Sequence, residues 1–315
     1  MMSDSKKDCF AHGGVLLFLF ALQFFLPAYH HGNMARIMVL ASYAIGYNLL
    51  FGYTGLLSLG HAIFFAAGLY GSGLAISQFG FSVGVALVIG VAAGCVLSAV
   101  IGALALRTEG VAFMIVTLMF AQAGYLTVLY FGEFTRGDEG FVLAHADRVL
   151  WGVSLSDQTS KYFSAFSLFC VSLIMCLALV RSRFGKVLIA IRENEERTQM
   201  LGYNVVWYKF CTIILSGSIS ALAGATYALL FGYVGASFAS VEYSIYPLLW
   251  VLLGGAGTVI GPLVGMIFMF YLIDLSSGVT TAYMLVAGVV LVFLAVFAPQ
   301  GVMGEVRSRI WKWLS

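Results

Sequence analysis

Long apolar blocks, rather than strand-like alternation, dominate this chain. No Lys, Arg, Asp or Glu lies between Arg36 and Arg107, from Phe210 to Val241, from Tyr243 to Ile273, or from Leu275 to Gly304. One charge at mid-bilayer costs roughly 2.5–3.5 kcal/mol on insertion scales, so blanks of this length mark lipid. Block lengths and charge breaks predict ten spans, near 13–30, 34–52, 57–78, 82–106, 110–132, 162–180, 209–233, 242–257, 259–275 and 280–298. The eighth and ninth are short. They suit full crossings or broken, re-entrant helices covered by protein.

The charges that remain assign sides. Residues 181–209 hold six basic side chains (Arg181, Arg183, Lys186, Arg192, Arg197 and Lys209) against three acids. The 133–161 segment holds five acids against three basic residues. Basic loops stay cytoplasmic, so the 181–208 loop is expected inside and 133–161 outside, in the periplasm. Counting crossings then puts a 1–12 segment and a basic 304–315 tail (Arg307, Arg309 and Lys312 against Glu305) inside as well, around a 13–303 transmembrane domain.

Composition sharpens this picture of a polytopic membrane protein. The chain of 315 residues is 61% hydrophobic and 10% charged, with mean hydropathy +0.99, which excludes an ordinary soluble domain. Its 36 glycines against 4 prolines suit close helix packing in lipid. Gly90–Gly94 and Gly261–Gly265 have GxxxG spacing, and Ser220–Gly224 is a small-xxx-small pair. The five cysteines form no CxxC pair and read as small apolar residues rather than metal ligands. The first apolar block follows Lys6 and Lys7 without a cleavage site of small residues, and is expected to be a retained span.

One internal echo bears on mechanism. "FGYTG" (51–55) closes the second span and "FGYVG" (231–235) closes the seventh, and the side assignment runs these spans in opposite directions. Opposite-facing copies of one bundle are the inverted repeat of alternating-access transporters. The expected fold class is therefore an all-α polytopic membrane protein with about ten transmembrane helices in two inverted-topology halves.

Catalytic chemistry is not legible. No GxxxxGK[ST], HExxH or GxSxG occurs, and no span carries a carboxylate pair. No cofactor, metal or nucleic-acid partner is expected. His61, in "SLGHAIFF", suits a packed histidine or a pathway residue, and Asp274 a solvated helix end or a functional intramembrane acid. Asn48, Thr117, Gln122, Ser216 and Ser220 are candidate pathway lining, though each also suits helix packing. Without ion-coupling groups at mid-depth, energy for transport would come from another chain.

The stretch "VLIAIRENEERTQMLGYN" (187–204) concentrates five charges within six residues. Glu193 and Arg197 stand at i,i+4, Leu188 and Ile191 share a face, and Gly185 and Gly202 bracket the segment. A short helix over 185–202 is expected, either a solvated face or a docking element for a soluble partner. In the docking case Leu188 and Ile191 would anchor in a groove of the partner, with Arg192, Glu193, Asn194 and Arg197 around them.

"SRFGKVLIAIRENEERTQMLGYNVVWYKF" resembles the cytoplasmic segment of LivM-type permease subunits of branched-chain amino acid ABC importers. "GYTGLLSLGHAIFFAAGLYGSG" (52–73), "RTEGVAFMIVTLMFAQ" (107–122), "TRGDEGF" (135–141), "LLGGAGTVIGPLVG" (252–265) and "FAPQGVMG" (297–304) extend the likeness in order. "TRG" stands where such permeases more usually carry Thr-Gly-Gly. The resemblance implies a homologous second permease subunit, two cytoplasmic ATPase subunits meeting the 181–208 loop, and a periplasmic solute-binding protein. It implies Leu, Ile and Val as cargo. Related permeases carry urea, short amides or aromatic acids, and the alternative is a permease, or a stand-alone channel or carrier, for another small neutral solute such as urea or short amides.

Overall fold

Wherever lipid surrounds a chain, its peptide groups must bond within the protein, and helices achieve this locally. The computed structural model describes residues 4–150, 152–298 and 300–309. The tail beyond residue 309 lies outside them. Helix α1 (Asp4–Phe25) precedes α2 (Ala28–Thr54), α3 (Ala62–Ser77), α4 (Val83–Ala105) and α5 (Gly110–Tyr130). A single turn, α6 (Gly132–Thr135), opens a largely irregular segment that ends at α7 (Gln158–Arg181). Next come α8 (Arg183–Glu193) and α9 (Glu195–Met200), then α10 (Val205–Phe231), α11 (Val241–Gly254), α12 (Gly261–Ser277), α13 (Tyr283–Phe297) and α14 (Gly301–Arg309). Among the described residues five helices are long and apolar enough to cross a membrane, and five shorter apolar helices accompany them. These ten correspond to the ten expected spans.

Helices α2 and α10 form the centre. Each has 27 residues, and their apolar windows are 89% and 78% buried, against 17% for α5. They run antiparallel, because Arg36 lies over Phe231 while Gly46 faces Ser216 and Ser220. The order long helix, irregular stretch, short helix, two more helices occurs from α2 to α5 and again from α10 to α13. Small residues set the spacing. A Cβ at Gly224 would collide with the Phe65 backbone, one at Gly94 with Ala221, and one at Gly265 with the Trp250 backbone. All three small-residue pairs seen in the sequence lie at such contacts.

Two expectations need correction. The span near 57–78 is helical only from Ala62, because residues 55–61 turn back into the bundle as irregular chain. Polar side chains satisfy that stretch: Tyr47 Oη donates to the Ser58 carbonyl (3.1 Å), and the Leu59 amide donates to Thr117 Oγ1 (3.2 Å). The shared FGY-x-G endings are not structural equivalents. Helix α2 runs through its copy to a left-handed cap at Gly55 (φ 75°), whereas α10 already ends at Gly232 (φ 76°). The following Tyr233–Val234 form strand β4, paired with β1 (Phe141–Val142) of the α6–α7 segment. A further strand pair, β2 (Val149–Leu150) with β3 (Val153–Ser154), lies in the same segment.

The short eighth and ninth segments resolve into α11 and α12, with a turn at 255–260. That turn bonds to Asn48 near the end of α2, and Asp274 accepts a bond from Tyr29 near its start (3.2 Å). Helix α12 therefore runs along α2 from near Asn48 back to its start at Tyr29. Asp274 is half-buried at a helix end, away from the centre. Helix α11 contains Pro247, which cannot donate to the Tyr243 carbonyl four residues back. Tyr43 Oη donates to that carbonyl instead, at 3.2 Å.

Between α6 and α7, Arg136 is the only non-glycine residue described with positive φ (61°), at the second position of "TRG". Glycine occupies that conformation without Cβ strain. Replacing Arg136 by Gly should therefore leave stability intact or raise it by up to about 1 kcal/mol, while Arg136→Val lowers it. Gly224→Leu should destabilise by about 1–3 kcal/mol through overpacking, whereas Gly84→Leu, with open space around it, should not. Thermal unfolding of the detergent-purified chain measures both effects.

Candidate functional site

The charged segment folds as two helices, not one. Ser182 caps α8 by accepting from the Gly185 amide (3.3 Å), and a side chain on Gly185 would strike the Leu179 and Val180 carbonyls. Asn194 then leaves helical geometry (φ −160°, ψ 106°), and its Oδ1 accepts from the Arg197 amide at 2.8 Å to start α9. The break takes Glu193 and Arg197 out of i,i+4 register, and they form no ion pair. The pair that does form is Glu195 with Lys209 of α10, at 2.5 and 2.6 Å. Gly202 (φ 91°) makes the closing turn, and Asn204 Oδ1 caps α10 by accepting from the Trp207 amide (3.1 Å).

Burial reverses the expected role of the apolar face. Leu188 (0% exposed) packs into the main core, and Ile191 (3%) packs with Val187, Val205 and Tyr208 of its own chain. They anchor α8 to the bundle and are not presented to a partner. The outward face carries Glu193, Asn194, Glu196 and Arg197, followed by Met200 (84% exposed) and Leu201 (71%). Between α8–α9, the end of α2 and the α4–α5 turn lies a groove of about 510 Å³, lined by Thr54, Thr108, Glu109, Glu193 and Lys209 among others.

Arg192 ties this loop to the spans. Its backbone and stem lie against Gly55, and its Nη1 donates to the Gly52 carbonyl at the end of α2 and approaches Gly257. Gly257 is held from two further directions. Its amide donates to Asn48 Oδ1 (3.0 Å), and Arg307 Nη1 donates to its carbonyl (3.3 Å). Asn48 Nδ2 also donates to the Thr258 carbonyl at 2.9 Å. The loop, the end of α2, the 255–260 turn and the last described helix thus form one bonded cluster.

The other lining candidates hold the broken centre together. Ser216 Oγ donates to the Gly46 carbonyl (2.5 Å), and Ser220 Oγ donates to the Ser216 carbonyl (2.9 Å). His61 Nε2 lies 2.8 Å from Ser220 Oγ, and its ring stacks on Tyr43 with centroids 5.7 Å apart. One residue on, the Ala62 amide donates to Ser244 Oγ (2.9 Å), so the starts of α3 and α11 meet here. Asn48, Thr117, Ser216 and Ser220 are all buried, and none faces an open space in this conformation. Gln122 stands apart from them, exposed on α5. His61 is a packed residue here.

Two arginines escaped the sequence reading. Arg148 is buried, donating from Nη1 to the Leu230 carbonyl (3.1 Å) and from Nη2 to His145 Nδ1 (2.8 Å), which caps the C-terminus of α10. Burial lowers its pKa from the usual value. Arg36 is exposed on α2. Neither has a local sequence signal, because each acts on carbonyls or rings distant in the chain.

Residues 32–295 match the family described as branched-chain amino acid transport system / permease component. The chain belongs to that family. Its relatives include the high-affinity branched-chain amino acid transport permease protein LivM of Salmonella typhimurium. That protein is 24% identical over 296 residues, which cover 87% of this chain and 69% of the relative. LivM of Escherichia coli is 25% identical over the same coverage, and LivH of that organism is 24% identical over 83% of this chain and 90% of its own length. No solved structure matches. The permease is therefore an all-α, multi-pass membrane protein of a transport family.

The packing around the loop generates a direct contrast. Ile191→Asp should destabilise the isolated permease by more than about 2 kcal/mol, since it buries a charge without a partner. Leu201→Asp should leave its unfolding midpoint unchanged. Equal stability of the two variants would show that Ile191 is not packed against its own bundle.

Proposed function

We propose that this permease is half of the membrane path of an ATP-driven importer, carrying Leu, Ile and Val delivered by a periplasmic solute-binding protein. A homologous second permease completes the path, and two cytoplasmic ATPase subunits supply the energy. The family match over residues 32–295 carries this reading. The relatives named LivM and LivH, both similar to this one chain, support a paired arrangement. In this reading the chain lies in the bacterial inner membrane with the 181–208 loop and both termini cytoplasmic, and the basic-residue count supports that orientation.

Coupling follows from the bonded cluster. An ATPase seated on the outward face of α8–α9 contacts Glu193, Asn194, Arg197, Met200 and Leu201. Its movement is passed by Arg192 to the Gly52 carbonyl and the 255–260 turn, and so to α2, α11 and α12. Leu188, Ile191 and Gly185 keep α8 rigid against the bundle, and Gly202 shapes the turn back into α10. Mid-membrane charge is unnecessary when the energy enters from outside the chain.

The test is reconstitution with purified partners. The complete complex should show leucine uptake that depends on ATP and on the binding protein, and the chain alone should show none. Unaided flux of urea or leucine through the chain alone would instead identify a channel or carrier. Leu201→Asp and Arg197→Glu should each lower solute-stimulated ATP hydrolysis about tenfold, because exposed apolar anchors carry binding energy and rim charges set partner choice.

A further inference from the structure

Charge within an apolar span needs a partner, water or a function. Arg36 lies in the third turn of α2, deeper than the Tyr29–Asp274 contact at the outer end and shallower than Tyr43. Between His30 and Thr54 it is the only exposed residue on this otherwise buried helix. Its guanidinium carbon stands over the Phe231 ring, 5.3 Å from the centroid, and within electrostatic reach of the Tyr227 and Tyr243 phenols. Among the described residues no carboxylate pairs with Arg36. A guanidinium lying over a ring keeps its in-plane N–H donors free for a planar anion.

The surroundings are aromatic. Tyr227 packs on Phe231 (4.6 Å between centroids) and on Phe238 (5.0 Å), and Phe238 packs on Tyr243 (5.0 Å). A free planar cation therefore stands beside an apolar wall, in the outer half of the central helix pair. That combination fits a molecule with a carboxylate at one end and a hydrocarbon side chain at the other. A neutral amide offers the guanidinium no ionic partner.

We propose that Arg36, with the Phe231–Tyr227–Phe238–Tyr243 wall, is an outer-half station that receives the carboxylate end of an apolar amino acid entering the membrane path. This rests on the importer reading above and narrows it to carboxylate-bearing cargo. The cation draws the carboxylate in, and the rings contact the side chain. Because Arg36 is exposed on the surface of this chain rather than enclosed, a bound carboxylate is not trapped and the solute can move on.

The experiment uses the complete importer in liposomes, with leucine as probe and the binding protein at saturation. Arg36→Gln should lower leucine uptake per ATP hydrolysed by about tenfold or more, the scale of one charge-assisted hydrogen bond, while basal hydrolysis is unchanged. Arg36→Lys should keep most of the uptake. In a background without the five native cysteines, Arg36→Cys should lose uptake and regain it after modification with a cationic thiosulfonate, but not with an anionic one. Uptake by Arg36→Gln at the parent rate would overturn the proposal and mark Arg36 as a side chain merely reaching for the interface. So would loss of the second permease from that complex, or equal rescue by both reagents. A parent complex that imports urea and not leucine would overturn the cargo reading itself, which separates the two failures.

Discussion

The structure depends on two helices, α2 and α10, meeting at backbone distance in the middle of the protein. Gly46 gives α10 its close approach, and Ser216 and Ser220 fill the seam with hydroxyls that bond carbonyls. Lipid tails are as apolar as leucine, so burial of hydrocarbon cannot by itself drive this association. Close packing and bonded hydroxyls must do so. Once the pair is formed, its flanks offer the partners that two interrupted helices need. Tyr47 and Thr117 satisfy the chain before α3, and Tyr43 takes the carbonyl that Pro247 leaves free in α11.

Breaking two helices within the bundle is costly unless every freed peptide group finds a partner. Helix α3 and helix α11 begin at the same place, joined through Ala62 and Ser244. Further along α2, Asn48 and Arg307 bond the 255–260 turn, and Arg192 bonds the neighbouring Gly52 carbonyl. The charged loop is thus not an appendage on the bundle. Its buried side, through Leu188 and Ile191, is part of the core, and its exposed side is free for a partner.

Much of this was legible in sequence for a simple reason. Lipid forbids charge, so ten apolar helices could be read directly from residue type, though not the irregular start of α3 or the break at Asn194. Small-residue spacing likewise exposed the packing seams. Interpretation failed where a residue's partner is distant in the chain. The pentapeptides at 51 and 231 match in letters, yet the helices end at different points within them, because Gly232 must also make room for Arg148. Leu188 and Ile191 look like an unpartnered apolar face until α10 and the core are brought against them.

Sequence alone therefore determined what lipid and local geometry control: membrane residence, the number of apolar helices, and the helix-forming, charged character of the 181–208 loop. The tertiary structure decided which surfaces remained available once those helices packed. It turned Asn48, Thr117, Ser216 and Ser220 from candidate lining into bonds that hold broken helices, and it left Arg36 as the open charge on the most buried helix. The physical reason is that hydrophobicity is a property of each residue, whereas exposure and hydrogen-bond partnership are properties of pairs. Pairs separated by a hundred residues or more leave no trace in the order of one chain.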